Sequence, residues 1–245
     1  MKKRPKVGFV PQNRERRAKV PLHDLKTGSL EGAEYYLLSN FGAEKRTIFS
    51  AQQDYDRFEA YLHLLNAHES PRASNLFVGE RAQYIFESRP AERLVAIGAY
   101  SFTPKSFLIL ATPAIRGGIG RFMQKLQTAY SMYFNKKYAH AGRLFHGPYI
   151  SEKAQTEKHL KYLFARTHLA PAQLFNDEWE NANPLELRSL AAKACAYRYS
   201  SIGEYVSGTS RITEPEAFPK FLSRAKSPDQ LLQFWMQYRG LKLRT

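Results

Sequence analysis

The chain has 245 residues, of which 43% are hydrophobic and 13% aromatic, a composition typical of a folded globular protein rather than a disordered one. It contains no run of eighteen apolar residues, and its basic N-terminus lacks the apolar core of a signal peptide, which argues against a membrane protein. Lysine and arginine number 37 against 22 acidic residues, giving a net charge of +15. This excess favours a polyanionic partner, most often nucleic acid, over a membrane surface.

The chain has a single cysteine, Cys195, so it can form no intrachain disulfide and no zinc site built from several cysteines. This cysteine usage fits a reducing compartment, and we expect a cytoplasmic protein. The glycines at 117, 118 and 120 form too weak a pattern to indicate a phosphate-binding loop.

The N-terminal residues 1–32 are predicted to form a basic arm. Residues 1–26 contain nine lysines or arginines and two acidic residues, and their three prolines prevent a continuous helix. Two alternatives remain open for this segment: a disordered tail, or an extended arm that becomes ordered on a partner.

The first predicted strand covers residues 34–42, where aromatic residues are concentrated. A helix follows, and Ser50 with Gln53 makes a capping-box pattern at its start. Residues 69–92 show no clear period and are predicted to be a loop or insertion. The core face of the helix is predicted from apolar residues at helical spacing, namely Phe58, Tyr61, Leu62 and Leu65.

Two apolar strands over residues 93–102 and 107–111, joined by a proline-containing turn, predict a β-hairpin. A long amphipathic helix is predicted within residues 117–138, where apolar side chains recur at i, i+3, i+4 and i+7 spacing. A short strand over 142–151 and a helix over 155–171 complete the series.

The order strand, helix, strand, strand, helix, strand, helix predicts an α+β domain over residues 33–172. The expected architecture is ferredoxin-like, an antiparallel sheet with helices packed on one face. Residues 173–245 contain two further helical stretches, LELRSLAAKACAY and SPDQLLQFWMQYRG. We interpret them as a C-terminal helical extension that packs on the first domain.

Several stretches resemble the single-tyrosine HUH transposases, in particular the REP-associated tyrosine transposase type. GGIGRFMQKLQTAYSMYFNKKYAHAGRLFHGPY is similar to the central segment of that family, SNFGAEKRTIFSAQQDYDRFEAYL to its first strand and helix, and AYSFTPKSFLIL to its central hairpin. THLAP and AYRYSSIGEYVSG extend the resemblance over about residues 33–240. The resemblance implies a fold that binds DNA hairpins with single-stranded flanks. It also implies a metal-assisted tyrosine nucleophile that attacks a phosphodiester.

The family's Pro-Asn-His-x-His-Leu-Leu run aligns with residues 104–110 of this chain. Its two metal-binding histidines then fall on Ser106 and Leu108. Leucine has no lone pair to give a metal, and serine alone is a poor ligand.

The family's Arg-Tyr-Ile-His-Leu-Asn-Pro run aligns with residues 165–171. The nucleophilic tyrosine falls on Arg166, which is not a nucleophile, and the third metal ligand falls on Ala170. The resemblance therefore implies a retained fold without strand cleavage, with no catalytic residue, no metal and no cofactor. Tyr162 lies one helical turn before Arg166 and is an alternative nucleophile, although ordinary packing is favoured.

A binding role is expected to remain. Arg166 stands where the family's nucleophile meets a phosphate, so it is predicted either to hold a phosphate or to be an ordinary surface arginine. Phe145 and His146 are predicted to stack on an unpaired base, with a core position as the alternative for Phe145. The candidate nucleic-acid-binding residues are Lys45, Arg46, Arg116, Arg121, Lys125, Lys136, Lys137, Arg143, Phe145, His146 and Arg166.

The leading hypothesis is a non-catalytic, domesticated transposase relative that binds hairpin or single-stranded DNA, or structured RNA. The alternative is a protein-interaction or structural component of an RNA-rich or nucleoprotein assembly such as a ribosome. An active metal-dependent DNA strand transferase is the least favoured hypothesis. The sequence leaves the choice between DNA and RNA, the target sequence and the oligomeric state open.

Overall fold

A computed structural model describes residues 32–69, 85–86 and 92–239 of the chain. The predicted basic arm, except for its last residue, and most of the predicted loop over 69–92 lie outside these ranges. Four strands form one sheet in the order β2-β3-β1-β4, with antiparallel neighbours throughout. The strands are β1 (Tyr36–Phe41), β2 (Val95–Thr103), β3 (Ser106–Pro113) and β4 (Ile150–Lys153).

The predicted α+β fold with an antiparallel sheet is confirmed, and this strand order is the ferredoxin-like one. The predicted long helices are all present: α1, α2 and α3 alternate with the strands in the expected order, and α4 and α6 lie in the C-terminal extension. The helices are α1 (Gln52–Leu64), α2 (Gly118–Lys137), α3 (Glu157–Leu169), α4 (Pro184–Cys195), α5 (Ile202–Ser207) and α6 (Pro228–Arg239).

Each face of the sheet carries its own apolar core. Phe107 and Ile109 of β3 point towards α1 and α2, and we call this the α1 face. Leu108 and Leu110 point to the opposite side, which we call the α3 face. Successive side chains of a strand alternate between faces, so the apolar run Phe107–Ala111 of β3 requires cover on both faces.

The expectation that the helices pack on one face holds for α1 and α2 and is wrong for α3. Helix α3 packs on the opposite face because its buried residues, including Leu160 and Phe164, fit the row formed by Leu37 and Leu110. The C-terminal helices extend this second core. Trp179 and Trp235 pack there with ring centroids 5.2 Å apart.

Two local predictions need correction. The strand predicted over 142–151 is confined to Ile150–Lys153, and the preceding loop contributes only an isolated bridge between Gly42 and Phe145. The N-cap position of α1 is Ala51 rather than Ser50, and the capping contact comes from Asp54 rather than Gln53, since Asp54 Oδ2 accepts from the N–H groups of Ser50 and Ala51 at 2.8 and 2.9 Å.

The C-terminal extension closes the outer edge of β2. The backbone N–H of Ser201 donates to Tyr100 O at 2.9 Å, and Phe102 N–H donates to Tyr199 O at 2.9 Å. The Ser201 hydroxyl also accepts a hydrogen bond of 2.8 Å from Tyr100 N–H. An unpaired sheet edge is therefore covered by the same segment that supports the α3-face core.

We expect Gly98→Ala to destabilise the packing of the extension on β2. An added Cβ would lie 2.5 Å from Cζ of Phe218, a residue of the α3-face core. The expected loss is about 1–3 kcal/mol in the free energy of unfolding, measured by urea denaturation.

The matched control is Gly203→Ala on the exposed side of α5, where an added Cβ meets nothing within 4 Å. This change should leave stability unchanged or raise it by up to about 1 kcal/mol, because alanine is the better helix former. Similar unfolding free energies for the two variants would contradict the close contact between Phe218 and β2.

Candidate nucleic-acid interface

Three segments of the chain meet where β1 ends. The N–H of Gly42, just after β1, donates to Lys105 O in the β2–β3 turn at 3.0 Å. The N–H of Ala43 donates to Leu144 O, in the loop before β4, at 2.9 Å. These backbone hydrogen bonds bring the end of β1, the β2–β3 turn and the loop before β4 into one surface, which we call the β1 end.

Four basic residues lie on this surface, and we call them the basic cluster: Lys45, Arg46, Lys105 and Arg143. Within the described ranges, none of the four has a carboxylate within ion-pair distance. Three are exposed, and Arg46 is half-buried. Cations without acidic partners on a surface are the arrangement that binds phosphate groups.

The turn that carries Lys45 and Arg46 is compact. A Cβ at Gly42 would lie 2.1 Å from Arg46 O, so only glycine permits this close approach. Lys45 itself adopts a left-handed conformation with φ of 59°. Lys105 was missed by sequence reasoning as a binding residue, since its proximity to the other three depends on contacts between segments distant in sequence.

The basic residues at the end of α2 have two different environments. Lys136 is exposed, whereas Lys137 Nζ lies 2.6 Å from Oδ1 of the buried Asp54. Burial alone would raise the pKa of Asp54. Hydrogen bonds donated by Lys137, Tyr138 and Tyr133 outweigh burial and hold that pKa below its usual value. Lys137 therefore fastens α2 to the start of α1, and it is less available to a ligand than Lys136.

The remaining predicted basic residues lie at the opposite end of the sheet. Arg116 is exposed in the turn before α2. On the first turns of α2, Arg121 Nη1 lies 3.2 Å from His68 Nε2, and Lys125 donates to Ala67 O at 2.8 Å. Helix α2 has 20 residues and so extends about 30 Å. The structure therefore separates Arg116, Arg121 and Lys125 from the basic cluster.

The two aromatic candidates differ in burial: Phe145 belongs to the core and His146 lies on the surface. Phe145 is 6% exposed and packs edge-on against Phe107, with centroids 5.8 Å apart, so it belongs to the core. His146 is exposed and stacks on Phe41, with centroids 4.7 Å apart and an interplanar angle of 20°. Phe41 was missed from the sequence because a phenylalanine inside a predicted strand is most often a core residue.

Ser106 and Leu108 both lie on the α3 face of β3. Leu108 packs against the apolar core of that face, between its cross-strand neighbours Ser39 and Ser101. The hydroxyl of Ser106 lies 2.8 Å from that of Thr103 across the hairpin. At the two positions where the family resemblance places metal ligands, Leu108 therefore provides apolar packing and Ser106 forms a hydroxyl pair with Thr103.

Arg166 lies on the same side of the sheet, since α3 crosses the α3 face. Its Nη1 donates to Glu152 Oε2 on β4 at 3.1 Å, and the other oxygen of Glu152 lies 3.0 Å from His159 Nε2. One residue further on, Thr167 O accepts a 2.6 Å hydrogen bond from the hydroxyl of Ser101, the β2 neighbour of Leu108. The structure thus brings Ser106, Leu108 and Arg166 to one face of the sheet.

Ala170 begins the 3-10 turn Ala170–Leu174 directly after α3 and is half-buried. Over residues 32–69, 85–86 and 92–239, no group of three or more His, Cys, Asp or Glu residues is arranged to hold a metal ion. In the same ranges, no helix has both the length and the apolar character needed to cross a bilayer.

Tyr162 is covered by the C-terminal helix. Its ring stacks on Tyr238 of α6 with centroids 4.4 Å apart. Burial raises the pKa of the Tyr162 phenol, which the charge of Arg166 partly offsets. The ring therefore joins α3 to α6, and a raised phenol pKa disfavours the phenolate form that a nucleophile needs.

His168, in the last turn of α3, is fully buried against the segment after α4. Its Nε2 lies 2.9 Å from the hydroxyl of Ser201. Burial lowers the pKa of His168 to about 3, so the imidazole is neutral in the folded protein at physiological pH.

No protein-family model matches the chain, and no curated protein matches it. Among solved structures, the REP-associated tyrosine transposase bound to a REP hairpin is similar over 84% of this chain and 91% of that chain. The identity is 8% and the TM-score is 0.43. The fold assignment above rests on strand order, register and helix placement, and the resemblance to this family remains one of sequence motifs.

We expect acid to destabilise the fold through His168. In the unfolded chain the imidazole of His168 takes up a proton as the pH falls below its pKa of about 6.5. In the folded state burial lowers that pKa to about 3, so the imidazole stays neutral until the pH nears 3. Stability from this residue is therefore complete above about pH 6.5 and is lost as the pH falls. The loss amounts to about 2 kcal/mol at pH 5.

The measurement is the free energy of urea unfolding between pH 7.5 and pH 5, made on the wild-type protein and on the His168→Gln variant. The variant is expected to be less stable at neutral pH but to show a shallower pH dependence, since glutamine does not titrate. Parallel pH curves for the two proteins would contradict a buried, neutral His168.

Proposed function

We propose that this protein is a transposase-like, non-cleaving nucleic-acid-binding protein whose binding surface is the β1 end of the sheet. The observation that carries the proposal is the basic cluster, four cations that meet there from three segments of the chain without an acidic partner in the described residues. Such a surface gains affinity by neutralising phosphates and releasing their counterions. Hairpin or single-stranded DNA and structured RNA are the candidate ligands.

The absence of cleavage is part of the same proposal. Leu108, where the family resemblance places a metal ligand, is packed into the α3-face core. The hydroxyl of Ser101 beside it is committed to Thr167 O. Arg166 supplies a permanent positive charge in place of a phenol oxygen. These contacts support a surface that holds a phosphodiester without attacking it.

Arg166 is the proposed contact for a phosphate on the α3 face. Its guanidinium uses one Nη1–H for Glu152, and its side chain is 38% exposed. A guanidinium has five N–H donors in a planar fork, so several remain for bidentate contact with a phosphate. A salt bridge exposed to this extent contributes little stability and is readily exchanged for a ligand.

We expect the double substitution Lys105→Gln/Arg143→Gln to weaken nucleic-acid binding and to reduce its salt dependence. Each lost phosphate contact should lower the slope of log K against log salt by about 0.7–0.9. The measurement is fluorescence anisotropy with a labelled DNA hairpin carrying single-stranded flanks, and with its RNA counterpart, between 50 and about 200 mM salt.

The control is Arg116→Gln/Lys220→Gln, which also removes two positive charges from exposed positions. Arg116 lies at the opposite end of the sheet, and Lys220 follows Phe218, which packs on Gly98 in the first half of β2. It should change the slope far less than the first double variant does. Equal effects of the two variants would mean that binding follows net charge alone, and the β1 end would then have no special role.

A second experiment tests cleavage directly. The protein is incubated with the same labelled hairpins in the presence of Mg²⁺ or Mn²⁺, and products are resolved on denaturing gels. We expect intact strands and no covalent protein–nucleic acid adduct, because Arg166 has no oxygen nucleophile to offer. Metal-dependent nicking, or an adduct that is lost in Tyr162→Phe, would overturn the non-cleaving part of the proposal.

A further inference from the structure

We propose that Phe41 and His146 form a stacking platform for one unpaired base, so that the ligand of the β1 end is a single-stranded segment of nucleic acid. This inference rests on the proposed function and specifies its substrate. The two rings are nearly parallel, with centroids 4.7 Å apart, and Phe41 is 37% exposed. Phe107 and Phe145, which lie beside this pair, are buried and offer no ring face to a ligand.

The platform is held in place by backbone contacts. His146 N–H donates to Phe41 O at 2.9 Å, which fixes the two residues side by side. Phe41 N–H donates to Oδ1 of the buried Asn40 at 2.8 Å, and Asn40 Nδ2 donates to Gly147 O at 3.0 Å. Because both residues are already ordered, a base that stacks on them meets a preformed surface, and the entropy cost of binding is reduced.

The position of the platform connects it to the rest of the proposed surface. Phe41 is the register partner of Ser106, so it lies on the α3 face at the end of the sheet. One row further in, Ser39 pairs with both Leu108 and the 54% exposed Ile150. Aromatic and aliphatic side chains therefore form a small exposed apolar area on the face to which Arg166 also belongs.

The charges around the platform identify the kind of ligand. Arg143 is three residues before His146, and the Lys105 carbonyl is bonded to the residue after Phe41. Cations beside an exposed aromatic surface suit a ligand that combines ring faces with regularly spaced negative charge, as a nucleic acid strand does. A continuous duplex keeps its base faces inside its own stack, whereas a single strand offers them to aromatic side chains. The geometry therefore favours single-stranded over double-stranded ligand.

The test compares single-stranded and fully paired probes. These are a labelled dodecamer of deoxythymidine, the corresponding uridine dodecamer, and a blunt hairpin duplex without unpaired nucleotides. Phe41→Ala should weaken binding to the single strands by about 5- to 150-fold, the range expected for losing one stacked base. Binding to the blunt hairpin should change by less than about twofold.

Three further variants separate stacking from folding. Phe41→Leu keeps apolar volume without a ring and should lose affinity as Phe41→Ala does, while its melting temperature stays near that of the wild type. Phe41→Trp restores a ring and should bind single strands within about threefold of the wild type. Phe175→Ala removes another exposed phenylalanine, 50% accessible in the turn after α3, and should leave binding unchanged.

The possible results have distinct meanings. Wild-type protein that binds neither single strands nor the hairpin would overturn the proposed function itself. Wild-type binding that Phe41→Leu leaves intact, or weakens equally for single strands and the blunt hairpin, would overturn only the stacking platform. Competition by polyglutamate as strong as competition by an oligonucleotide of equal charge would indicate an acidic protein partner, and it would likewise overturn the platform.

Discussion

Strand β3 lies between β2 and β1 and carries large apolar side chains on both faces, and the rest of the structure depends on covering both. Phe107 and Ile109 are buried against α1 and α2, and Leu110 is buried against α3 and the C-terminal helices. Burial of each such side chain stabilises the fold by about 1.5–3 kcal/mol, so neither face can be left to solvent. The C-terminal extension is consequently part of the core, with Trp235 and Phe218 in the same cluster as Leu110.

The same constraint determines which surface remains accessible. The α3-face core stops short of the end of β1, where Phe41 and Ile150 are exposed, whereas the α1 face of the same end stays buried under Phe107 and Phe145. Side chains there need no longer be apolar, and the basic cluster occupies the turns around them. The proposed binding surface is thus the part of the α3 face that α3 and the C-terminal helices leave uncovered, together with the turns beside it.

The helices, the hairpin and the antiparallel α+β class of the fold were predictable from the sequence, whereas individual contacts between distant segments were not. The helices and the β2–β3 hairpin follow from apolar spacing and turn residues, which act within one segment. Strand β4 was placed too early because the loop before it owes its shape to long-range contacts such as the bridge between Gly42 and Phe145. The short helix α5 was missed, since six residues give too little periodicity to detect.

The candidate site shows the same division. The sequence identified a set of basic residues. Whether each one can contact a ligand depends on where its helix or turn places it and on whether a carboxylate already pairs with it. Helix α2 carries Arg121 to one end of the sheet and Lys136 to the other, and Lys137 is drawn into the buried contact with Asp54. Composition alone shows neither which end of the sheet a helical residue reaches nor which carboxylate pairs with a given lysine. Phe41 and Lys105 required the assembled structure for the same reason.

The net charge of +15 bears on how any binding should be interpreted. A protein this basic attracts polyanions over its whole surface, and that attraction falls as salt screens it. Affinity by itself therefore says little about where a nucleic acid lies. A stacking contact depends on a ring within van der Waals distance and is far less sensitive to salt than a charge contact. The combination at the β1 end, a basic cluster for phosphates next to an ordered aromatic pair for a base, is what would distinguish a specific binding surface from the general attraction of the molecule.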